Sequence, residues 1–286
     1  MGFLGFSAAR CGLVVAAVLP LATGCGDRDA GDPAPTESSL TAPLGPEKYR
    51  TEVVPRAYVE AFGGGTIYYP AGRPPGERLG AVTIVPGSRG YQSGMAWYGP
   101  LLASRGFIVF TIDTLHLKDQ PAKRSLELEA ALTYLATRSA VASHVDAERL
   151  AVMGHSLGGG GTLDLAATRP NLKAAIPLMP YDKAKDFSNV RVPTLVVAAQ
   201  HDKIAPVGKH AEVFYRSIPA SQPKAYLEIA GATHSFPKRR DATLAKYVIA
   251  WLKRYVDGDK RYDRFLCPGP QNDPHVARYA SDCTPR

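Results

Sequence analysis

Apolar residues in this chain fall into two alternating patterns. Short, nearly unbroken apolar runs occupy 66–69, 81–85, 107–112, 150–153, 174–178, 194–199 and 225–229. Between them, stretches at 96–104, 125–138, 157–169, 209–217 and 242–256 mix apolar with polar positions. The unbroken runs predict strands buried on both faces, and the mixed stretches predict helices packed over those faces. Their alternation indicates an α/β class: a mainly parallel central sheet, helices on both sides, one domain. In such sheets the working residues gather in loops beyond the carboxyl ends of the strands.

The first 46 residues break this pattern. Arg10 precedes an apolar run from 13 to 22 that is too short to span a bilayer, so 1–24 reads as an export signal. It ends in Leu21-Ala22-Thr23-Gly24-Cys25, which resembles a bacterial lipoprotein signal. Cys25 would then be acylated and could anchor the protein to a membrane. From 25 to 46 the chain is rich in Pro, Asp, Ser, Thr and Gly, a composition expected of a flexible tether. Residues 47–286 remain as the domain.

Cysteine usage agrees with export. Cys11 leaves with the signal and Cys25 lies at its end, leaving Cys267 and Cys283. In an oxidising compartment these two would close a loop of about 17 residues, worth up to ~3 kcal/mol in the chain-entropy picture. The tail they enclose shows no other means of staying folded. The formal net charge is +8, yet no basic block is interleaved with aromatics, so nucleic acid is not expected as a partner. No internal repeat is present, and a monomer is expected.

The chemistry starts at Met153-Gly154-His155-Ser156-Leu157-Gly158, where an apolar run meets the pattern Gly-x-Ser-x-Gly and a helix follows. Exposing a serine Oγ at the end of a sheet requires a turn so sharp that the flanking glycines have no room for a Cβ. The helix beginning at Leu157 points its free N–H groups at the reacting centre. Two phosphate-binding patterns fit less well. A dinucleotide fingerprint would need an acidic residue at a strand end about twenty positions on; Asp182 instead falls in a loop. A Walker loop would need Gly-Lys-Ser/Thr, which is absent.

A serine hydroxyl needs a base, and the base needs an orienting carboxylate; on this scaffold the chain order is Ser, Asp or Glu, His. Four histidines follow Ser156. His234 stands in a loop just past the last predicted strand, while His275 is in the cysteine-bounded tail and His210 within a predicted helix. His201 has the wrong order relative to the best carboxylate, Asp202, which follows the 194–199 run by a few residues. Asp164 lies on the helix after Ser156, and Asp182 and Asp186 lie in the loop before that run. His155 is expected to shape the turn rather than move protons. Two backbone N–H groups should receive the oxyanion: Leu157, and Ser88 in the loop Pro86-Gly87-Ser88-Arg89-Gly90.

With these residues placed, the chain resembles the bacterial cutinases and polyester hydrolases of the α/β-hydrolase superfamily, including enzymes that depolymerise poly(ethylene terephthalate). The likeness runs from about Pro46 to Cys283. It includes Gly-Pro-Leu-Leu-Ala-Ser-Arg-Gly-Phe at 99–107, Asp202-Lys203-Ile204-Ala205-Pro206-Val207, Gly231-Ala232-Thr233-His234 and Phe265-Leu266-Cys267-Pro268-Gly269-Pro270. The resemblance implies Ser156, Asp202 and His234 as a catalytic triad, Cys267–Cys283 as a C-terminal disulfide, and neither cofactor nor metal in the reaction. It implies a lidless groove flanked by Tyr181, Ile204, Leu157 and Ser88. Tyr181 stands where the family has Trp, Leu157 where it has Met, and Ser88 where it has Tyr or Phe; Arg89 and Tyr91 add bulk and charge beside the cleft. The implied activity is hydrolysis of aliphatic polyesters and short-to-medium-chain acyl esters. Aromatic polyesters are left open by the missing ring at position 88. A cell-envelope acyltransferase or lipid esterase would use the same triad, and a surface binding protein with a relic triad is the non-enzymatic alternative.

Overall fold

Alternate residues of a strand face opposite sides, and the buried strands here divide accordingly. The computed structural model describes residues 1–2, 33–270 and 272–282. Its strands are β1 (Tyr49–Val54), β2 (Gly65–Pro70), β3 (Leu79–Val85), β4 (Ile108–Ile112), β5 (Val145–His155), β6 (Ala174–Leu178), β7 (Thr194–Ala199), β8 (Lys224–Ile229) and β9 (Val276–Ser281). They form one sheet in the order β1-β2-β4-β3-β5-β6-β7-β8-β9. Neighbours from β4 to β8 run parallel, while β1, β2 and β9 join antiparallel at the two edges. Val82, Ile84, Ala151 and Met153 face one core; Ala81, Val85, Leu150 and Val152 face the other. The first core is closed by α2 (Tyr98–Ala103) and α6 (Ala242–Tyr255), the second by α3 (Pro121–Thr137), α4 (Leu157–Thr168) and α5 (Ala211–Ser217).

The edge strands carry no unbroken apolar run. β1 is mostly exposed along its length and β9 is only partly buried, so neither needed the composition of a two-sided strand. His234 therefore follows the last parallel strand rather than the last strand. The C-terminal tail has a means of staying folded besides its cysteines, since β9 pairs with β8 from Ile229↔Val276 to Ala225↔Ser281. α3 begins at Pro121, earlier than the expected 125, because proline at the first helical position has the right φ and lacks only an N–H that would be unpaired there.

The expected tether is too long. The compact unit begins at Pro35, not at residue 47. A short helix, α1 (Glu37–Thr41), is closed by a capping box in which the Ser39 N–H donates to Thr36 Oγ1 at 3.1 Å. Its one apolar residue, Leu40, is buried in the core beside α6. Arg105 donates to the carbonyls of Ser39 and Ala42, Arg240 to that of Thr41, and Arg264 to that of Pro35. A single leucine in a polar stretch leaves no period to read. Leu40→Ala should lower stability by about 2–5 kcal/mol, as for other buried leucines; a chemical-denaturation midpoint equal to wild type would mean the segment is dispensable. The expected signal, Cys25 and the first part of the tether lie outside the described residues, as does Cys283. Cys267 is disulfide-bonded. Among the described residues no helix is long and apolar enough to cross a membrane.

Glu127 on α3 is buried, accepting the Leu115 N–H at 2.7 Å through one oxygen, while the other has no hydrogen-bond partner among the described residues. Burial pushes its carboxyl up to about 7. The folded state thus binds this proton more tightly than the unfolded chain, so the group's contribution is complete below the ordinary carboxylate range and is lost as pH rises through about 7. Glu127→Gln keeps the acceptor and removes the charge. Its thermal midpoint should exceed wild type at pH 8 and converge with it near pH 5. Parallel melting curves with no pH-dependent gap would contradict this.

Candidate active site

β5 delivers His155 to the end of the sheet and α4 begins at Leu157, leaving Ser156 alone at the corner with φ 56° and ψ −118°. For a residue with a Cβ this backbone is strained by about 1–3 kcal/mol, a conformation that persists only where surrounding structure enforces it. The enforcement is visible in the flanking glycines. A Cβ on Gly154 would stand 2.2 Å from the Gly158 carbonyl oxygen, and one on Gly158 would stand 2.5 Å from that of Pro86. Ser156 also donates its N–H to Leu178 and accepts at its carbonyl from Tyr181 N–H (2.9 Å) and Gly160 N–H (3.0 Å).

Asp202 leaves the end of β7 and His234 lies in the loop after β8, both reaching the same corner. His234 Nε2 is 2.8 Å from Ser156 Oγ, and its Nδ1 is 2.7 Å from Asp202 Oδ2. A carboxylate can only accept, so Nδ1–H donates to it; Nε2 is left bare to accept the serine proton. The other carboxylate oxygen, Oδ1, accepts from Ile204 N–H (2.9 Å) and Ala205 N–H (2.8 Å). All three side chains are buried. Burial works to raise the Asp202 carboxyl, but the hydrogen bond from His234 and the two N–H donors outweigh it and hold it below the ordinary range. The relay can move a proton from the hydroxyl to the imidazole and stabilise the resulting cation.

His155 does more than shape the turn. Its Nε2–H donates to the carbonyl of His234 at 2.7 Å, and the two rings lie 4.9 Å apart. Burial, reinforced by the neighbouring His234, lowers its pKa to about 3, so it stays neutral and pins the loop that carries the base.

The remaining predicted residues surround this corner unequally. Leu157 is the first residue of α4, and Gly87, next to Ser88, is so near that a Cβ on it would stand 2.8 Å from Ser156 Cβ. Among the described residues, the N–H groups of Ser88 and Leu157 have no protein acceptor. Ile204 is exposed one turn from Asp202, and Tyr91 is likewise exposed. Arg89 adopts φ 54° and donates its N–H to Leu117; its exposed side chain and that of Tyr91 make no hydrogen bond with the triad.

Tyr181 stacks on the His210 ring with centroids 4.6 Å apart. His210 precedes α5 rather than lying within it. Its Nδ1 accepts from Lys185 Nζ at 3.0 Å, and burial, with the lysine charge, lowers its pKa to about 4. Nothing local in the sequence signals His210 as a support for Tyr181, since it lies 25 residues beyond Lys185, which holds its ring. Among the described residues no group of three or more His, Cys, Asp or Glu could hold a metal ion.

A family model described as PET hydrolase-like matches residues 27–284. A bis(hydroxyethyl) terephthalate hydrolase of Streptomyces coelicolor is 51% identical over 94% of this chain and 89% of its own length. A cutinase of Thermobifida fusca is 48% identical over 97% of this chain and 92% of its own. Cutinase 1 of Thermobifida cellulosilytica is 51% identical over 88% and 96%, respectively.

Proposed function

The chain belongs to the PET hydrolase-like family, and from that premise we propose that it hydrolyses polyester chains and smaller carboxylic esters through an acyl-enzyme on Ser156. The observation that carries this reading is the unbroken relay of 2.8 and 2.7 Å contacts ending at a strained serine. Ser156 Oγ attacks the ester carbonyl while His234 Nε2 takes its proton; Asp202 holds the imidazole and balances its charge. The N–H groups of Ser88 and Leu157 receive the oxyanion. As the tetrahedral centre collapses, the alcohol leaves with the proton from His234. A water, deprotonated by the same nitrogen, then releases the acid and restores the serine.

Substrate lies across an open groove with Tyr181 as its aromatic wall, Leu157 and Ser88 near the carbonyl, and Ile204 opposite. Arg89 and Tyr91 border its entrance. Ser88 supplies no second ring, so aliphatic polyesters and small terephthalate diesters should turn over faster than the aromatic polymer as film. The test is a panel of p-nitrophenyl butyrate, polycaprolactone, bis(hydroxyethyl) terephthalate and poly(ethylene terephthalate) film, combined with fluorophosphonate labelling mapped by mass. Labelling at Ser156 with ester turnover supports the reading; a protein that neither labels nor hydrolyses any of these overturns it.

Residues 1–24 are read as an export signal and Cys25 as an acylated anchor, with Cys267 paired to Cys283. Intact mass of the protein from its cell envelope tests the first, through a lipid adduct lost in Cys25→Ala. Peptide mapping without reduction tests the second.

A further inference from the structure

Arg124, near the start of α3, is completely buried yet has no ion pair within 4 Å among the described residues. Taking a guanidinium out of water without a carboxylate is expensive unless its donors are satisfied. Three of its five N–H groups are taken by backbone carbonyls, and the nearby Glu127 and Asp119 carboxylates favour its charge. Nε donates to the Asp119 carbonyl (2.8 Å), Nη1 to Pro86 (2.9 Å) and Nη2 to Leu117 (3.1 Å). Two glycines of α4 leave the space for this reach. A Cβ on Gly161 would stand 2.9 Å from Arg124 Cβ, and one on Gly158 would press on the Pro86 oxygen itself.

The two loop-side bonds have a particular target. The Pro86 carbonyl belongs to the peptide between residues 86 and 87. The Leu117 carbonyl, besides meeting Arg124, accepts the Arg89 N–H at 2.7 Å, which belongs to the peptide between 88 and 89. The N–H of Ser88 lies in the single peptide between those two. Both peptides flanking it are tied to one guanidinium, one directly and one through a shared acceptor, which fixes the two ends of the 87–88 peptide, while its own carbonyl, that of Gly87, accepts the Gly90 N–H at 3.1 Å and opposes a flip.

We propose that Arg124 is a positioning residue for ester hydrolysis, aiming the Ser88 N–H at the developing oxyanion without touching substrate. This rests on the reading of Ser88 as an oxyanion donor. An arginine that merely joined α3 to the sheet would affect melting but not the preference for the transition state over the ground state.

Three variants separate these cases, assayed on p-nitrophenyl butyrate at a temperature where melting curves show each fully folded. Losing one oxyanion donor typically lowers kcat by about 10²–10³-fold. Arg124→Lys, which can reach fewer carbonyls, should lower kcat by about 10²-fold with KM little changed. Its affinity for a trifluoromethyl ketone, which forms a tetrahedral oxyanion on the serine, should fall by the same factor as kcat/KM. Gly161→Ala keeps the guanidinium but displaces it, and should show the same paired loss to a smaller degree; it carries the test if Arg124→Lys does not fold. Ser88→Pro removes the donor itself. If Ser88→Pro loses activity while folded Arg124→Lys or Gly161→Ala keeps wild-type kcat and ketone affinity, the role of Arg124 is overturned. If Ser88→Pro retains wild-type kcat, the donor assignment fails, and Arg124 loses its proposed target.

Discussion

Ser156→Ala is expected to lower turnover of p-nitrophenyl butyrate by up to ~10⁶-fold, the loss seen when serine hydrolases of the Ser–His–Asp type lose their nucleophile. The substitution removes one oxygen from a buried site. It leaves the Cβ and the φ of 56° as they were, so the strain at the corner is not relieved. Melting should therefore move little while catalysis all but disappears. The residue of activity should match what correctly placed N–H donors and binding supply without a nucleophile. Fluorophosphonate labelling of the variant should vanish in parallel. Wild-type turnover by a folded Ser156→Ala protein would remove the central claim about this corner.

Asp202→Asn is expected to lower kcat by about 10⁴-fold, for a reason that lies in hydrogen placement rather than in position. Asp202 Oδ1 is committed to the N–H groups of Ile204 and Ala205, an arrangement an asparagine oxygen preserves. Its amide nitrogen must then face His234 Nδ1, where the carboxylate oxygen sits at 2.7 Å. An amide donates, so Nδ1 has to give up its hydrogen, and Nε2 acquires one. The imidazole then presents a donor to Ser156 instead of an acceptor and cannot take the hydroxyl proton. Imidazole nitrogen NMR should show the tautomer exchanged in a protein of unchanged fold. Retention of a tenth or more of the wild-type kcat would argue that Asp202 does not orient the base.

These residues were legible because each signal is local. Gly154 to Gly158 announces its own turn, Asp202 follows a strand that is apolar on both faces, and His234 follows one that is buried along almost its whole length. β6 and β7 coincide with the expected 174–178 and 194–199 because both are completely buried. Where burial is one-sided or slight the pattern fades, as at β1 and β9, whose pairing depends on neighbours rather than composition. Supports of the site were illegible for a different reason. Arg124, His155 and Lys185 each reach at least one carbonyl or ring far along the chain, at Pro86, His234 and His210 respectively, and such a partner leaves no trace in the local sequence. The segment 35–46 carries no legible signal, because five residues of helix with one leucine cannot display a period.

That segment also fixes how the domain can be held from outside. Tension applied to the chain before Pro35 meets Arg264 first, then Arg105 and Arg240 around α1, before any strand of the sheet is stretched. These contacts clasp a strap lying across α6, so a polymer bead, fusion partner or acyl chain joined upstream transmits its drag to the first core's helices. Ser156 and Asp202 stand at strand ends on loops that this harness does not include, but His234 shares the connection from β8 to α6 with Arg240. A load at the amino end therefore has a path, through Arg240, to the segment that carries the base, and a linker inserted after residue 41 would cut through the harness itself.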